Sequence, residues 1–300
     1  MIDAGMLKQM TAKDGFIAAL DQSGGSTPGA LRLYGVPDSA YSGDTEMFAA
    51  VHAMRVRIMT APAFNGARVL AAILFEATMD GEVLGQPAPT YLWKERGIVP
   101  ILKVDKGLDE ESDGVSLLKP MPDLGKLLDR AVAKAMFGTK MRSVIHRASL
   151  SGIAAIVAQQ FDIAEEIAAR GLVPIVEPEV SIKAPDKAAC ETMLLDALRA
   201  RLDALPQDMR VMLKLTIPTT PDLYASLAKH PRIVRVVALS GGYIRAEACR
   251  LLAQNHAMVA SFSRALAQDL RASMSDEEFN AALAASIDEI FRASTVKTAA

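Results

Sequence analysis

Lys214 interrupts an otherwise apolar run of the sequence. It lies in VMLKLTIP, residues 211–218, among valine, methionine, leucine and isoleucine side chains. An ammonium group within an apolar strand is costly unless it is paired or loses its proton. At the edge of a sheet the side chain could instead extend to water. In a central strand, a lysine kept partly neutral is a nucleophile that attacks a carbonyl carbon and forms an imine.

Three further apolar runs carry pairs of ionisable residues two positions apart. The pairs are Lys103 and Asp105 in ILKVDKG, Lys140 and Arg142 in TKMRSV, and Glu177 and Glu179 in PIVEPEV. Side chains two positions apart in a strand point to the same side of the sheet. Each pair alone fits a solvated strand end with a surface ion pair of about 0 to 1 kcal/mol. Ionisable groups in four successive runs instead predict one shared cluster.

Such a cluster suits imine chemistry at Lys214. Like charge from Lys140 and Arg142, together with burial, would keep part of the Lys214 population neutral. Loss of water from the carbinolamine requires a proton donor, which a glutamate can supply. The protonated imine then withdraws electrons and lets a neighbouring carbon–carbon bond break, while a carboxylate takes the proton of the departing hydroxyl.

Eight short apolar runs alternate with longer amphipathic stretches. The runs cover residues 15–20, 68–75, 97–104, 142–145, 172–176, 211–215, 232–239 and 257–261. Runs of this kind are typical of strands buried on both faces of a parallel sheet. The alternation predicts an α/β fold, a (β/α)8 TIM barrel. A doubly wound open sheet is the alternative, but the segment after the first run, DQSGGSTPG, does not match G-x-G-x-x-G.

The barrel is expected to form a single domain over residues 1–300, with C-terminal helices from about residue 275. Ser275 and Glu278 have the spacing of a capping box at the start of that helical segment. Pro178 has no amide hydrogen and is expected to help end regular strand pairing near Glu177 and Glu179.

Segments suited to binding an anion follow the seventh and eighth runs. In ALSGGY, Gly241 and Gly242 would let backbone amides approach an anion closely. In SFSRAL, Arg264 can bind phosphate in a bidentate manner. Loops after strands 7 and 8 of such barrels commonly bind phosphate, so one anion site is expected here.

A second anion site is expected after the first run. DQSGGSTPG supplies Ser23 and Ser26, and Lys103 could reach the same anion from the third run. A substrate with phosphate at both ends would then lie across the barrel mouth with its carbonyl near Lys214. Ordinary Gly/Ser turns are the alternative reading of this segment.

Composition excludes several other classes of function. The chain has 300 residues, 51% hydrophobic and 23% charged, with a net charge of −2 and no basic stripe, which argues against nucleic-acid binding. We find no signal peptide and no run of 18 apolar residues, so no membrane partner is expected.

Cys190 and Cys249 lie in helix-like stretches, which favours a reducing, cytoplasmic location. The four histidines lack a zinc-ligand spacing, so no metal cofactor is expected. Assembly into a homo-oligomer is left open.

Taken in order, the segments resemble the Schiff-base-forming, class I fructose-1,6-bisphosphate aldolases, in particular their short bacterial branch. The matching segments are AALDQSGGSTPGAL (18–31), GIVPILKVDKGL (97–108), TKMRSVI (139–145), LVPIVEPEV (172–180), VMLKLTIP (211–218), LSGGY (239–243) and SFSRAL (261–266). The resemblance implies a (β/α)8 barrel and metal-independent, reversible cleavage of fructose 1,6-bisphosphate, a phosphorylated sugar, into dihydroxyacetone phosphate and glyceraldehyde 3-phosphate in glycolysis and gluconeogenesis.

The resemblance also implies a role for each motif residue. Lys214 would form the imine, Glu177 would be the acid/base for that step with Glu179 in its hydrogen-bond network, and Asp21 would take the proton of the C4 hydroxyl. Lys140 and Arg142 would position the substrate. The phosphate on C1 would be bound by Ser240, Gly241, Gly242, Ser261 and Arg264, and the phosphate on C6 by Ser23, Ser26 and Lys103.

The chain departs from the animal members of that family at three places. Their Lys-Arg pair after the first loop is replaced by Gly29 and Ala30, so Arg32 or Lys103 would substitute at the C6 phosphate. Tyr243 follows the glycine pair where glutamine is usual. No tyrosine follows Tyr243, whereas the animal enzymes use a terminal tyrosine for proton exchange. Another lysine-imine barrel, such as transaldolase or a deoxy-sugar aldolase, and a non-catalytic binding scaffold are the competing hypotheses.

Overall fold

A closed barrel of eight parallel strands forms the centre of the computed structural model, which describes residues 2–23 and 27–298. The strands are β1 (Phe16–Leu20), β2 (Val69–Leu74), β3 (Val99–Lys103), β4 (Gly138–Ile145), β5 (Val173–Val180), β6 (Val211–Thr216), β7 (Ile233–Leu239) and β8 (Met258–Phe262). Each strand pairs with its neighbours in chain order, and β8 pairs with β1 to close the ring. The predicted (β/α)8 barrel is confirmed.

Helices connect the strands and cover the outside of the barrel. They are α1 (Ala4–Ala12), α2 (Thr27–Tyr34), α3 (Gly43–Thr60), α4 (Glu76–Asp80), α5 (Ala88–Arg96), α6 (Leu124–Ala133), α7 (Leu150–Ala169), α8 (Lys187–Ala204), α9 (Ala225–Ala228), α10 (Arg245–Ala253), α11 (Arg264–Ala267) and α12 (Asp276–Thr295). A short hairpin joins Glu82–Val83 to Gln86–Pro87, and Val115–Ser116 pairs antiparallel to β4. Both cysteines lie in helices, as predicted, and both are free.

Side chains alternate along each strand between the barrel interior and the layer under the helices. In β1, Ile17 and Ala19 belong to the interior apolar cluster, whereas Phe16 and Ala18 belong to the outer one. The interior cluster also includes Val99, Ile101, Val173, Ile175 and Met212. Because the alternation has a period of two, the next interior positions towards the strand ends are Asp21, Lys103, Glu177 and Lys214.

Helix α1 closes the amino-terminal end of the barrel. Met6 and Met10 join the interior apolar cluster. The Gln9 side chain donates hydrogen bonds of 2.8 Å to the carbonyls of Leu70 and Gly97, which fixes the helix under the strands. Apolar side chains therefore fill the amino-terminal end of the barrel, and the polar side chains of the cavity lie above them.

The predicted strands are all present, but two are longer than predicted by at least three residues. The fourth begins at Gly138 rather than at residue 142, and the fifth continues to Val180. The expectation for Pro178 was wrong on one side of β5, because the ladder with β4 passes through the Ser143–Pro178 pair to Val180. Only the ladder with β6 stops before the proline, at Val176.

The capping box at the start of α12 is confirmed and gives a stability prediction. Ser275 accepts the amide hydrogen of Glu278, whose carboxylate accepts the amide hydrogen of Ser275. Ser275→Ala should lower the free energy of unfolding by about 1 kcal/mol in urea denaturation followed by circular dichroism. Ser275→Asp, which keeps an acceptor at the cap, should retain most of that stability, and equal losses in both variants would contradict the prediction.

Candidate active site

The open end of the barrel carries a cavity of about 950 Å³. Its lining includes the predicted residues Asp21, Ser23, Lys103, Lys140, Arg142, Glu177, Glu179, Lys214, Ser240, Gly241, Ser261 and Arg264. Gly242 instead borders a smaller neighbouring cavity of about 150 Å³, which Arg264 also lines. Ser26 lies outside the described residues. The interior positions at the strand ends therefore converge on one volume.

Lys214 lies in a central strand and is only 4% exposed. Strand β6 pairs with β5 on one side and β7 on the other, so the interpretation of Lys214 as an edge residue is wrong. Its Nζ lies 3.2 Å from Oε1 of Glu177. The amine therefore has an acid/base group within reach, and it lines the cavity.

Lys140 connects the carboxylates of three strand ends. Its Nζ lies 2.7 Å from Oδ2 of Asp21, 3.2 Å from Oε2 of Glu177 and 3.7 Å from Oδ2 of Asp105. All four side chains are buried. Because several carboxylates in one dry volume repel each other, this single ammonium group is the shared counter-charge that lets them lie together.

The charges of this cluster oppose the effect of burial on its members. Burial alone would raise the pKa of Asp21, but the nearby charges of Lys140 and Lys214 outweigh it and hold that pKa well below its usual range. Burial alone would lower the pKa of Lys140, but the charges of Asp21 and Glu177 outweigh it and raise that pKa. Asp21 is therefore a carboxylate and Lys140 an ammonium at neutral pH.

The backbone and the remaining pairs hold the cluster in place. The amide hydrogen of Glu177 is donated to Oε1 of Gln160, a fully buried residue of α7, at 2.8 Å. Arg142 donates to the carboxylate of Glu179, and Lys103 Nζ lies 2.7 Å from Oδ1 of Asp105. The two-residue spacing in the sequence thus correctly predicted that each pair would face the cavity.

Two sides of the cavity present groups suited to anions. Gly241 and Gly242 have φ angles of 59° and 111°, values that favour glycine, and a Cβ on Gly241 would lie 2.7 Å from Ile182. Ser261 is buried, and its hydroxyl has no hydrogen-bond partner among the described residues. Ser23, which follows β1, also lines the cavity.

Arg32 is not available to the second anion site. Its Nη1 lies 2.9 Å and 2.7 Å from the two carboxylate oxygens of Asp38, on the exposed surface of the protein. Arg32 is also absent from the cavity lining. The sequence suggested that Arg32 or Lys103 replaces the phosphate-binding arginine of the animal enzymes. The geometry does not support Arg32 in that role.

The sequence interpretation missed a group of residues that support the end of β1. Arg55 of α3 is 1% exposed and donates to the carbonyl of Gln22 and to the Thr78 hydroxyl, the latter at 2.7 Å. Burial lowers the pKa of Arg55 to about 10, although the charge of Asp21 opposes that shift. The Gln22 side chain donates to the Ser263 hydroxyl at 2.6 Å, which joins the loops after β1 and β8. An arginine in an amphipathic helix is expected on the surface, so the sequence pattern gave no reason to predict that Arg55 is buried.

Searches for a metal centre and a membrane span were negative. Within residues 2–23 and 27–298, no group of three or more His, Cys, Asp or Glu side chains is placed to hold a metal ion. None of the helices in that part of the chain combines the length and apolar character needed to cross a bilayer.

Comparisons with known proteins agree with the fold and the motifs. No family model matches the chain. It is 56% identical over 288 residues to the fructose-bisphosphate aldolase class 1 of Synechocystis sp., with 96% of each chain covered. Among solved structures, a fructose-bisphosphate aldolase from Plasmodium falciparum, in complex with TRAP and a small-molecule inhibitor, matches with a TM-score of 0.72 at 19% identity, covering 98% of this chain and 95% of that one. A protein from Corynebacterium glutamicum matches with a TM-score of 0.55 at 14% identity, covering 97% and 92%.

Fold and site together define a (β/α)8 barrel with a buried lysine–carboxylate centre at the carboxyl ends of its strands. The identity to the Synechocystis protein identifies the family more closely. The chain belongs to the class 1 fructose-bisphosphate aldolases, the family that the sequence motifs predicted.

Removal of the Lys140 ammonium tests the charge cluster. Lys140→Met should lower the free energy of unfolding at pH 7 by about 3 to 5 kcal/mol, because it leaves the buried Asp21 carboxylate without its ion-pair partner. The pKa of Asp21 is lower in the folded protein than in the unfolded chain, where it is about 3.9, so its ionised form stabilises the fold at higher pH. This stabilisation is lost as the pH falls from about 3.9 towards the pKa of the folded state. The difference between wild type and variant should therefore shrink below about pH 4 in denaturant titrations.

Lys126→Met provides the control for this measurement. Lys126 Nζ lies 3.0 Å from Asp123, but both side chains are exposed. Its loss should change the free energy of unfolding by about 0 to 1 kcal/mol. A Lys140→Met protein as stable as the wild type at pH 7 would contradict the role of this cluster.

Proposed function

We propose that this protein reversibly cleaves fructose 1,6-bisphosphate into dihydroxyacetone phosphate and glyceraldehyde 3-phosphate through an imine on Lys214. The observation that carries the proposal is the buried Lys214 amine, 3.2 Å from a Glu177 carboxylate oxygen, in a chain of the class 1 aldolase family. The neutral form of a lysine amine attacks a ketone, and the Glu177 carboxylate is within reach to exchange a proton with it.

Imine formation uses Lys214 and Glu177. The amine attacks C2 of the open-chain ketose, and the resulting carbinolamine loses its hydroxyl as water when Glu177 donates a proton to it. The amide hydrogen of Glu177, donated to Gln160, fixes the backbone from which this carboxyl group projects. Glu179, fixed by Arg142, adds a second carboxylate beside it.

Carbon–carbon cleavage uses Asp21. Its carboxylate takes the proton of the C4 hydroxyl, the bond between C3 and C4 breaks, and the electron pair moves to the protonated imine to give an enamine. Glyceraldehyde 3-phosphate leaves at this point. Protonation of the enamine at C3 and hydrolysis of the imine then release dihydroxyacetone phosphate and restore Lys214.

Substrate positioning is assigned to the rest of the cavity lining. Arg142 and Lys140 line the cavity and would position the reacting carbons, and Ser240, Ser261 and Arg264 with the backbone at Gly241 and Gly242 would bind the C1 phosphate. Ser23 and Lys103 line the cavity where the C6 phosphate is expected. No step of this scheme uses a metal ion, so a chelator should leave the activity unchanged. A cytoplasmic location and assembly into a homo-oligomer stay predictions.

Borohydride trapping tests the imine directly. Incubation of the wild-type protein with dihydroxyacetone phosphate and sodium borohydride should give a reduced, covalent adduct that peptide mass spectrometry locates on Lys214. Lys214→Met should form no adduct and should lose cleavage activity, whereas Lys126→Met should behave as the wild type. A fully active Lys214→Met protein would refute the lysine mechanism.

Replacement of the acid/base group should slow imine formation without removing the amine. Glu177→Gln keeps the side-chain shape but cannot transfer a proton, so kcat should fall by a factor of about 100 to 10,000. Rapid-quench trapping with borohydride should show the Lys214 adduct forming more slowly than in the wild type. Adduct formation at the wild-type rate would assign this proton transfer to another group.

A further inference from the structure

The charges of the cavity lining are not balanced. Seven cationic side chains line it, but only four carboxylates do so. Lys103, Lys140, Arg142 and Lys214 pair with the four lining carboxylates. Lys106 pairs with Glu76, which lies outside the lining. Lys119 and Arg264 are the cations of the lining for which the described part of the chain provides no ion-pair partner.

These two unpaired cations lie on different sides of the barrel mouth. Arg264 follows β8. Lys119 lies in the long segment between β3 and β4, just after Val115–Ser116, which pairs antiparallel to β4. In the ring of strands, β8 and β3 are separated by β1 and β2 in one direction and by four strands in the other. A ligand that contacts both of them must therefore span the mouth of the cavity, which Lys214 also lines.

The backbone before Lys119 is held in place. The amide hydrogen of Lys119 is donated to the Gly107 carbonyl at 3.1 Å. The side-chain amide of Gln159 in α7 bonds both polar groups of the Leu118 backbone, at 2.9 Å and 3.0 Å, and Leu118 itself is buried. Lys119 thus projects an exposed, unpaired ammonium group from a fixed point at the cavity rim, which reduces the entropy cost of binding an anion.

The other basic groups near this side of the mouth are already engaged. Lys103 is bound to both the carboxylate and the backbone carbonyl of Asp105, each at 2.7 Å. Arg32 is bound to Asp38, and Gly29 and Ala30 carry no charge. A phosphate dianion on this side therefore has Lys119 as its uncompensated cationic partner.

We propose that Lys119 binds the C6 phosphate of the substrate and thereby makes the enzyme select bisphosphorylated ketoses over ketoses phosphorylated only on C1. The inference rests on the proposed aldolase function and adds a specificity-determining residue to it. One ammonium–phosphate contact at a partly exposed site is expected to change kcat/KM by about tenfold.

The test compares two substrates in matched variants. For Lys119→Met, kcat/KM with fructose 1,6-bisphosphate should fall about tenfold, mainly through KM, while kcat/KM with fructose 1-phosphate should stay at the wild-type value. Lys119→Arg should restore most of the loss. Lys126→Met, at an exposed lysine outside the lining, should leave both substrates unaffected.

The outcomes separate this inference from the proposed function. An equal loss on both substrates, or no loss on either, would overturn the assignment of Lys119 while wild-type cleavage and the Lys214 adduct still supported the aldolase. A wild-type protein that cleaves neither ketose and forms no adduct would overturn the proposed function and this inference with it.

Discussion

The site depends on one ammonium group, that of Lys140, placed among three buried carboxylates. Without it, Asp21, Asp105 and Glu177 would repel one another in a volume with little water, and protonation or unfolding would relieve the repulsion. With it, Asp21 stays ionised beside a buried amine. The carboxylates of Asp21 and Glu177 and the amine of Lys214 can therefore lie close together in one cavity, because Lys140 compensates part of the negative charge.

The alternation of side chains along the strands explains how the chain builds this arrangement. Ile17 and Ala19 fill the barrel interior, and Asp21 is the next residue on the same side. Met212 and Lys214 follow the same rule in β6. The apolar part of each strand thus sets the direction of the polar residue at its end, because a shift of one position would turn that residue towards the helices.

The same regularity decides how much could be predicted from the sequence. Lys103, Lys140, Glu177 and Lys214 were found because a charge inside an apolar, strand-like run is conspicuous, and the period of two then set their direction. Arg55, Gln160 and Lys119 were not found, because each lies in a helix or a loop where polar residues are ordinary. Their importance comes from contacts between segments far apart in sequence, such as Gln159 with Leu118 or Gln22 with Ser263. The pattern of apolar and polar residues within one segment does not predict such contacts.

Helix α1 packs under the strands and closes the amino-terminal end of the barrel below the candidate active site. Met6, Met10 and the apolar interior residues occupy the space below Lys214, and the cavity that Lys214 lines opens at the carboxyl ends of the strands. If the proposed imine forms, the aldehyde fragment must depart while the ketone fragment is still bonded to the protein. The two products would then leave in a fixed sequence, and in the synthetic direction an aldehyde could react only with protein already loaded with its ketone.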